Sequence, residues 1–190
     1  MPSKSQIVDL LTKWFHIVGV PQHYEINSQG QVDVTGSVQL LRPPPHNRLP
    51  VKFGHVTGNF SCSNMHLTTL EGAPHTVAQA FMCQGNQLTT LVGAPKTCTT
   101  FAIRDNPLQD LNGFPDQVHL DTSVTYTADL PLLQLFKSEH VLFYAAKGAQ
   151  PVPTIVKELF DHPPHKNARK AALWAAPKLI KAGLKENAQW

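Results

Sequence analysis

The sequence predicts an α+β fold: a small solenoid of short parallel strands, with an N-terminal capping helix and a C-terminal helical segment. Three observations predict it. A unit of about 20 residues recurs three times between Phe60 and Pro115. A single amphipathic stripe precedes it at the N-terminus. Beyond Leu130 the pattern changes to short helical runs that carry a surplus of positive charge. These changes set expected boundaries at residues 1–22 for the capping helix, 23–128 for the solenoid and 129–190 for a basic helical region.

The N-terminal segment reads as one helix. Ser3 and Gln6 have the spacing of a capping box, in which side chain and backbone satisfy each other's orphan groups. Ile7, Leu10, Leu11, Trp14 and Val18 then form a stripe at i, i+3, i+4, i+7 and i+11, suited to covering the open end of a solenoid. Gly19 and Pro21 are expected to stop it. Val32–Val34 and Val38–Leu40, on either side of Thr35-Gly36, read as two strands or one bent strand.

The repeat itself is Phe60-Ser-Cys62-Ser-Asn64-Met-His-Leu67-Thr-Thr-Leu70-Glu-Gly72-Ala-Pro74. It returns from Phe81 to Pro95 and from Phe101 to Pro115, in steps of 21 and 20 residues. This is the period of a leucine-rich-repeat coil. Residues two apart share one face of a strand, so Phe81 and Cys83 point the same way. Asn86 takes the place of the asparagine that bonds the backbone where the strand bends away. Leu88 and Leu91 fill the core on the returning limb, and Gly93 and Pro95 turn the chain into the next rung. Stacked about 4.8 Å apart, the rungs align Phe60, Phe81 and Phe101, then Cys62, Cys83 and Ile103, then two leucine columns. So short a rung has no room for a convex helix, and irregular or extended backbone is expected there. Val38–Leu40 with Leu49, Phe53 and Val56 reads as a distorted first rung, interrupted at Pro43–Pro45. Val118–Leu120 reads as the last strand.

In the C-terminal third, Asp129-Leu-Pro131 resembles a helix start with proline in the first turn. Leu132–Lys137 and Thr154–Phe160 read as short helices, and Val141–Ala146 is open between strand and helix. His162-Pro-Pro-His165 is a stiff joint. Asn167–Ala176 reads as a helix, with Pro177 starting a second that ends at Gly183. Residues 131–190 hold nine Lys and Arg against four Asp and Glu, while residues 1–130 hold seven against nine.

Composition narrows the function classes. Leu, Ile, Val and Phe make up about 27% of the 190 residues, enough for a core. No apolar run approaches the ~20 residues of a membrane span, and no leader pattern opens the chain. Three cysteines cannot all pair, which suits a reducing cytoplasm. A net charge of +3 does not by itself imply a nucleic-acid partner.

The units Phe60–Pro74 and Phe81–Pro95 resemble the short leucine-rich-repeat-like proteins of tailed bacteriophages. Similar too are the lead-in from Ile26 through Val38 to Val56 and the closing Leu179-Ile-x-Ala-Gly183-x-x-x-Asn187-Ala-x-Trp190. Met65 and Pro43–Pro45 depart from that pattern. The resemblance implies a solenoid fold and a viral, phage origin, hence work in the host bacterial cytoplasm. It implies no reaction and no agreed functional residues.

The residues offer little chemistry. Cys62 and Cys83, with His66 and His75 near in sequence, fit core fillers better than metal ligands. Cys98 stands where Val56 and Val77 stand in other rungs, which argues for packing over nucleophilic catalysis. No phosphate loop, nucleophile elbow or zinc motif occurs. An enzyme is therefore not expected, nor any cofactor or metal. Two binding readings remain. Ser61, Ser63, Met82, Gln84, Ala102 and Arg104 lie between the core positions, so they are expected to face outward as a partner-binding row. The partner would be a host, defence or phage assembly protein, as in host takeover or anti-defence. The alternative is a nucleic-acid accessory role for Lys166, Arg169, Lys170, Lys178, Lys181 and Lys185. There, Lys166, Arg169 and Lys170 would share one helix face that grips phosphates; the plainer reading is a solvated face opposite Leu173, Ile180 and Leu184 packed on the coil. A virion structural component is a third reading.

Overall fold

A computed structural model describes residues 2–18 and 24–190. Helix α1 spans Lys4–Trp14. The Ser3 side chain accepts from the Gln6 backbone N–H at 3.3 Å, and Gln6 Oε1 accepts from the Ser3 N–H at 2.8 Å, completing the capping box. Ile7 and Leu11 are buried. The helix is shorter than its stripe suggested. Phe15–Val18 is strand β1, antiparallel to β4 (Ser37–Leu40), so Val18 lies on a strand and is more than half exposed. β-branched Ile17 and Val18 suit extended backbone, and pairing with β4 outweighs the helical spacing. The expected stop at Gly19 and Pro21 lies outside the described residues.

The solenoid has two ladders. The first runs parallel through β4, β6 (Phe60–Ser61), β8 (Ala80–Met82), β10 (Thr100–Ala102), β11 (Gln117–Tyr126) and β12 (Ser138–Ala145). The second runs through β3 (Val32–Val34), β5 (Phe53–Val56), β7 (Thr76–Val77), β9 (Thr97–Cys98) and the first residues of β11. The backbone opposite the returning limb is thus extended, and organised into a ladder of its own. β2 (Tyr24–Ile26) adds antiparallel to β3 at the N-terminal edge.

An aromatic column runs along the axis. Ring centroids separate by 5.1 Å from Phe15 to Phe53 and from Phe53 to Phe60. They then lie 5.5 Å from Phe60 to Phe81, 5.8 Å from Phe81 to Phe101 and 5.5 Å from Phe101 to Phe114. The column is longer than the repeat alone implied, because Phe15 of β1 and Phe53 of β5 extend it at one end and Phe114 at the other. Asn86 makes four bonds inside this core. Its Oδ1 accepts from the backbone N–H of Met65 (2.9 Å) and Leu67 (3.0 Å), and its Nδ2 donates to the carbonyls of Cys62 (2.9 Å) and Cys83 (2.8 Å). Asn106 repeats the arrangement one rung on, bonding the Leu88 N–H and the Cys83 and Ile103 carbonyls. Asn64, Gly85 and Asp105 share another position in the three rungs. All three have positive φ, at 59°, 69° and 58°. That turn falls to the residue types which enter the left-handed region most readily.

Beyond residue 128 the parallel ladder continues. Val118–Leu120 is only the start of β11, and β12 pairs along β11 from Ser138 to Ala145. Strand pairing therefore settles the Val141–Ala146 segment, and Val118–Leu120 is not the last strand. The Leu133–Lys137 segment is a 3-10 turn, and Pro131 does not open it. Helix α2 (Thr154–Asp161) places Phe160 against Phe136 at 4.1 Å and against Phe143 at 5.2 Å, closing that end of the core.

Helix α3 runs unbroken from Ala168 to Lys181, with Asn167 capping it through the Lys170 N–H. Pro177 sits inside it and starts no second helix. The helix buries its alanine face, Ala171, Ala172 and Ala175, together with Leu179. Leu173 is 70% and Ile180 54% exposed, contrary to the expected packing, while Leu184 is partly buried against the core. Small side chains let α3 approach closely, which turns its bulkier aliphatics outward. The tail is then locked by Asn187, fully buried. It accepts from Tyr126 Oη at 3.1 Å and donates to the carbonyls of Leu130 at 2.8 Å and Thr127 at 3.2 Å.

Candidate interaction face

The first ladder presents one side to the core and the other outward. Phe60, Cys62, Phe81, Cys83, Phe101 and Ile103 are fully buried. Ser61, Met82 and Ala102 alternate with them and stand in register, so their side chains leave the sheet together. Register extends this row to Gln39 on one side and to Ser123 and Leu142 on the other, across six strands. Ser63, Gln84 and Arg104 lie two residues on, beside Thr125 and Tyr144, which pair with each other. Ser61, Ser63, Met82, Gln84, Ala102 and Arg104 are all half-buried, because in-register neighbours shield each one's flanks.

The Arg104 end carries the most distinctive chemistry. Its guanidinium lies 4.9 Å from the Tyr144 ring centroid, a cation–π contact, and 4.0 Å from Asp105. The ion pair is exposed and contributes little. Gln84 Oε1 is buried with no hydrogen-bond partner among the described residues, an uncompensated polar atom on this face. Sequence reasoning did not find Leu142, Tyr144, Ser123 or Thr125. The alternation in Val141-Leu-Phe-Tyr144 was a signal, but nothing outside three dimensions aligns it with Met82 and Arg104.

The three thiols lie in the core. Cys62 and Cys83 belong to the Phe60–Phe81 side, and Cys98 stacks between Val77 and Val118. Burial pushes Cys62 and Cys98 up to about 12, and raises Cys83 well above its ordinary value, with the neighbouring thiols adding to the effect. A thiol held so firmly protonated is a poor nucleophile and a poor metal ligand. Cys62 and Cys83 are expected to react with a thiol reagent far more slowly in the native protein than in denaturant. Rapid native labelling of both would contradict their burial.

The basic residues divide. Lys170, Lys178 and Lys181 are exposed and share one stripe of α3 at helical spacing with the half-buried Trp174, with Lys185 beyond its end and Lys178 Nζ 4.5 Å from the Trp174 ring. Arg169 belongs to the adjoining side, where it lines a cavity with Leu173, Ala176 and Trp190. Lys166 precedes the helix, so it shares no helix face with Arg169 and Lys170.

The fold and this face define a parallel-strand solenoid with a helical cap at each end. No family model, no curated protein and no solved structure matches the chain. No helix of the described residues is long and apolar enough to cross a membrane.

Proposed function

We propose that this chain is a non-enzymatic protein–protein interaction module that captures another protein on the outward face of its first ladder. The observation that carries the reading is the six-strand row itself. With the positions two residues on, it brings Met82, Arg104 and Tyr144 onto one surface where none has a core duty. Methionine, arginine and tyrosine are the residue types that recur in interface cores. The resemblance to phage repeat proteins suggests the finer reading, a host, defence or phage assembly protein met in the bacterial cytoplasm.

Affinity purification from phage-infected bacterial cells identifies the partner, and variants then locate its site. Arg104→Glu combined with Met82→Asp is expected to weaken capture about tenfold or more, since hot-spot losses are about 2 kcal/mol. Folding should change much less, because the residues lie outside the core. The comparison variant carries Lys166→Gln, Arg169→Gln and Lys170→Gln. Loss of capture by this variant alone would move the site to the basic tail.

A second reading rests on the Lys170–Trp174–Lys178–Lys181 stripe, which could grip a nucleic-acid backbone. Phosphate-driven binding weakens steeply as salt rises, whereas the strand-face interaction should weaken little.

A further inference from the structure

We propose that β12 is a self-association edge, pairing antiparallel with β12 of a second copy of this chain about a two-fold axis at Phe143. Among the described residues β12 pairs only with β11, so the backbone groups on its other side have no strand partner there. Edge strands are ordinarily kept short or protected with charge, proline or bulges. At the opposite end of the same ladder the edge strand β1 is four residues long. β12 has eight, and Val141-Leu-Phe-Tyr-Ala145-Ala146 contains no charge, proline or glycine. Leu142 is 49% and Tyr144 40% exposed. A groove of about 340 Å³ runs along four consecutive residues, Val141 to Tyr144, with Lys157 and Asp161 of α2 at its rim. Because consecutive residues line it, the groove follows the strand's edge and not one of its faces.

Charge selects the occupant. The apolar block is preceded by Glu139 and followed by Lys147, both exposed. Antiparallel pairing of Val141–Ala145 centred on Phe143 brings Glu139 of each copy, at the start of β12, beside Lys147 of the other, in the turn that follows Ala145. It also sets Leu142 opposite Tyr144 on the outward face, with Val141 opposite Ala145. The parity keeps outward residues with outward residues, as an isologous two-fold requires. Parallel pairing in register would set like charges together. The strand is short and the interface small, so the dimer should be reversible and concentration-dependent. It would also join two outward faces into one continuous sheet, which is independent of what that face captures.

The test is sedimentation of the full chain over a range of concentrations. Mass is expected to rise from 21.0 kDa toward twice that value. Leu142→Lys with Tyr144→Lys should leave a monomer with a retained melting transition. Glu139→Lys alone, or Lys147→Glu alone, should weaken the dimer about tenfold, and the two together should restore it. A monomer at every concentration overturns the proposal. So does a dimer indifferent to the edge lysines, or a double charge variant that associates no better than the single ones.

Discussion

Asn86→Ala is expected to lower the melting temperature by about 10 °C, and Asn64→Ala by only a few degrees. Asn86 satisfies two backbone N–H groups and two carbonyls from two rungs at once, and it is itself buried. Alanine leaves all four groups with no side-chain partner. Each buried orphan costs about 1–3 kcal/mol, and even with relaxation the total should exceed ~3 kcal/mol. Asn64 makes no such set. It is exposed and holds the turn position at φ 59°, where Gly85 stands in the next rung. Alanine there faces only the left-handed backbone penalty, about 1 kcal/mol. Asn64→Gly should remove even that. Thermal melts of the three variants check the register, and equal losses for Asn86→Ala and Asn64→Ala would contradict it.

The solenoid was legible because its signal is repetition. Phe60, Phe81 and Phe101 declare their stacking by recurring at one place in a unit, and so do the leucines. Asn86 was legible because a side chain that must bond two rungs has few substitutes. The parts that do not repeat were harder. Val18 continues a helical stripe in the sequence, yet its segment pairs with β4, a contact with residues some twenty positions away. Leu173 and Ile180 read as a buried face until Ala171, Ala172 and Ala175 prove to make the closer contact. The outward row was half visible. Alternation fixes the side on which Met82 and Arg104 lie, but Leu142 and Tyr144 join them only through the register of β11 with β12. That register includes a shift between Val118 and Asp121 which no periodicity announces.

Stability should fall as the solution becomes alkaline, and Cys98→Val should soften that fall. A thiol whose pKa is near 9 in the unfolded chain and about 12 in the folded one keeps its proton only when folded. Below about pH 9 both states are protonated, so the full stability is present. Above it the unfolded chain ionises first, and stability drops by about 1.4 kcal/mol per pH unit for each such thiol until the folded pKa is reached. Cys62 contributes over the same window and Cys83, also raised by burial, acts in the same direction, so the combined slope is steep. Tyrosine and lysine titrate in this range as well, which is why the comparison with a variant carries the argument. Cys98 stacks among Val56, Val77 and Val118, all buried, so valine is the residue the neighbouring rungs already use there. The substitution should therefore change stability by less than about 1.5 kcal/mol at neutral pH. Urea unfolding at about pH 8 and about pH 10 should then show the variant losing roughly 1.4 kcal/mol less than the parent for each unit above pH 9. Parallel losses would mean that Cys98 ionises as readily in the folded chain as in the unfolded one, and that the valine column does not seal it from water.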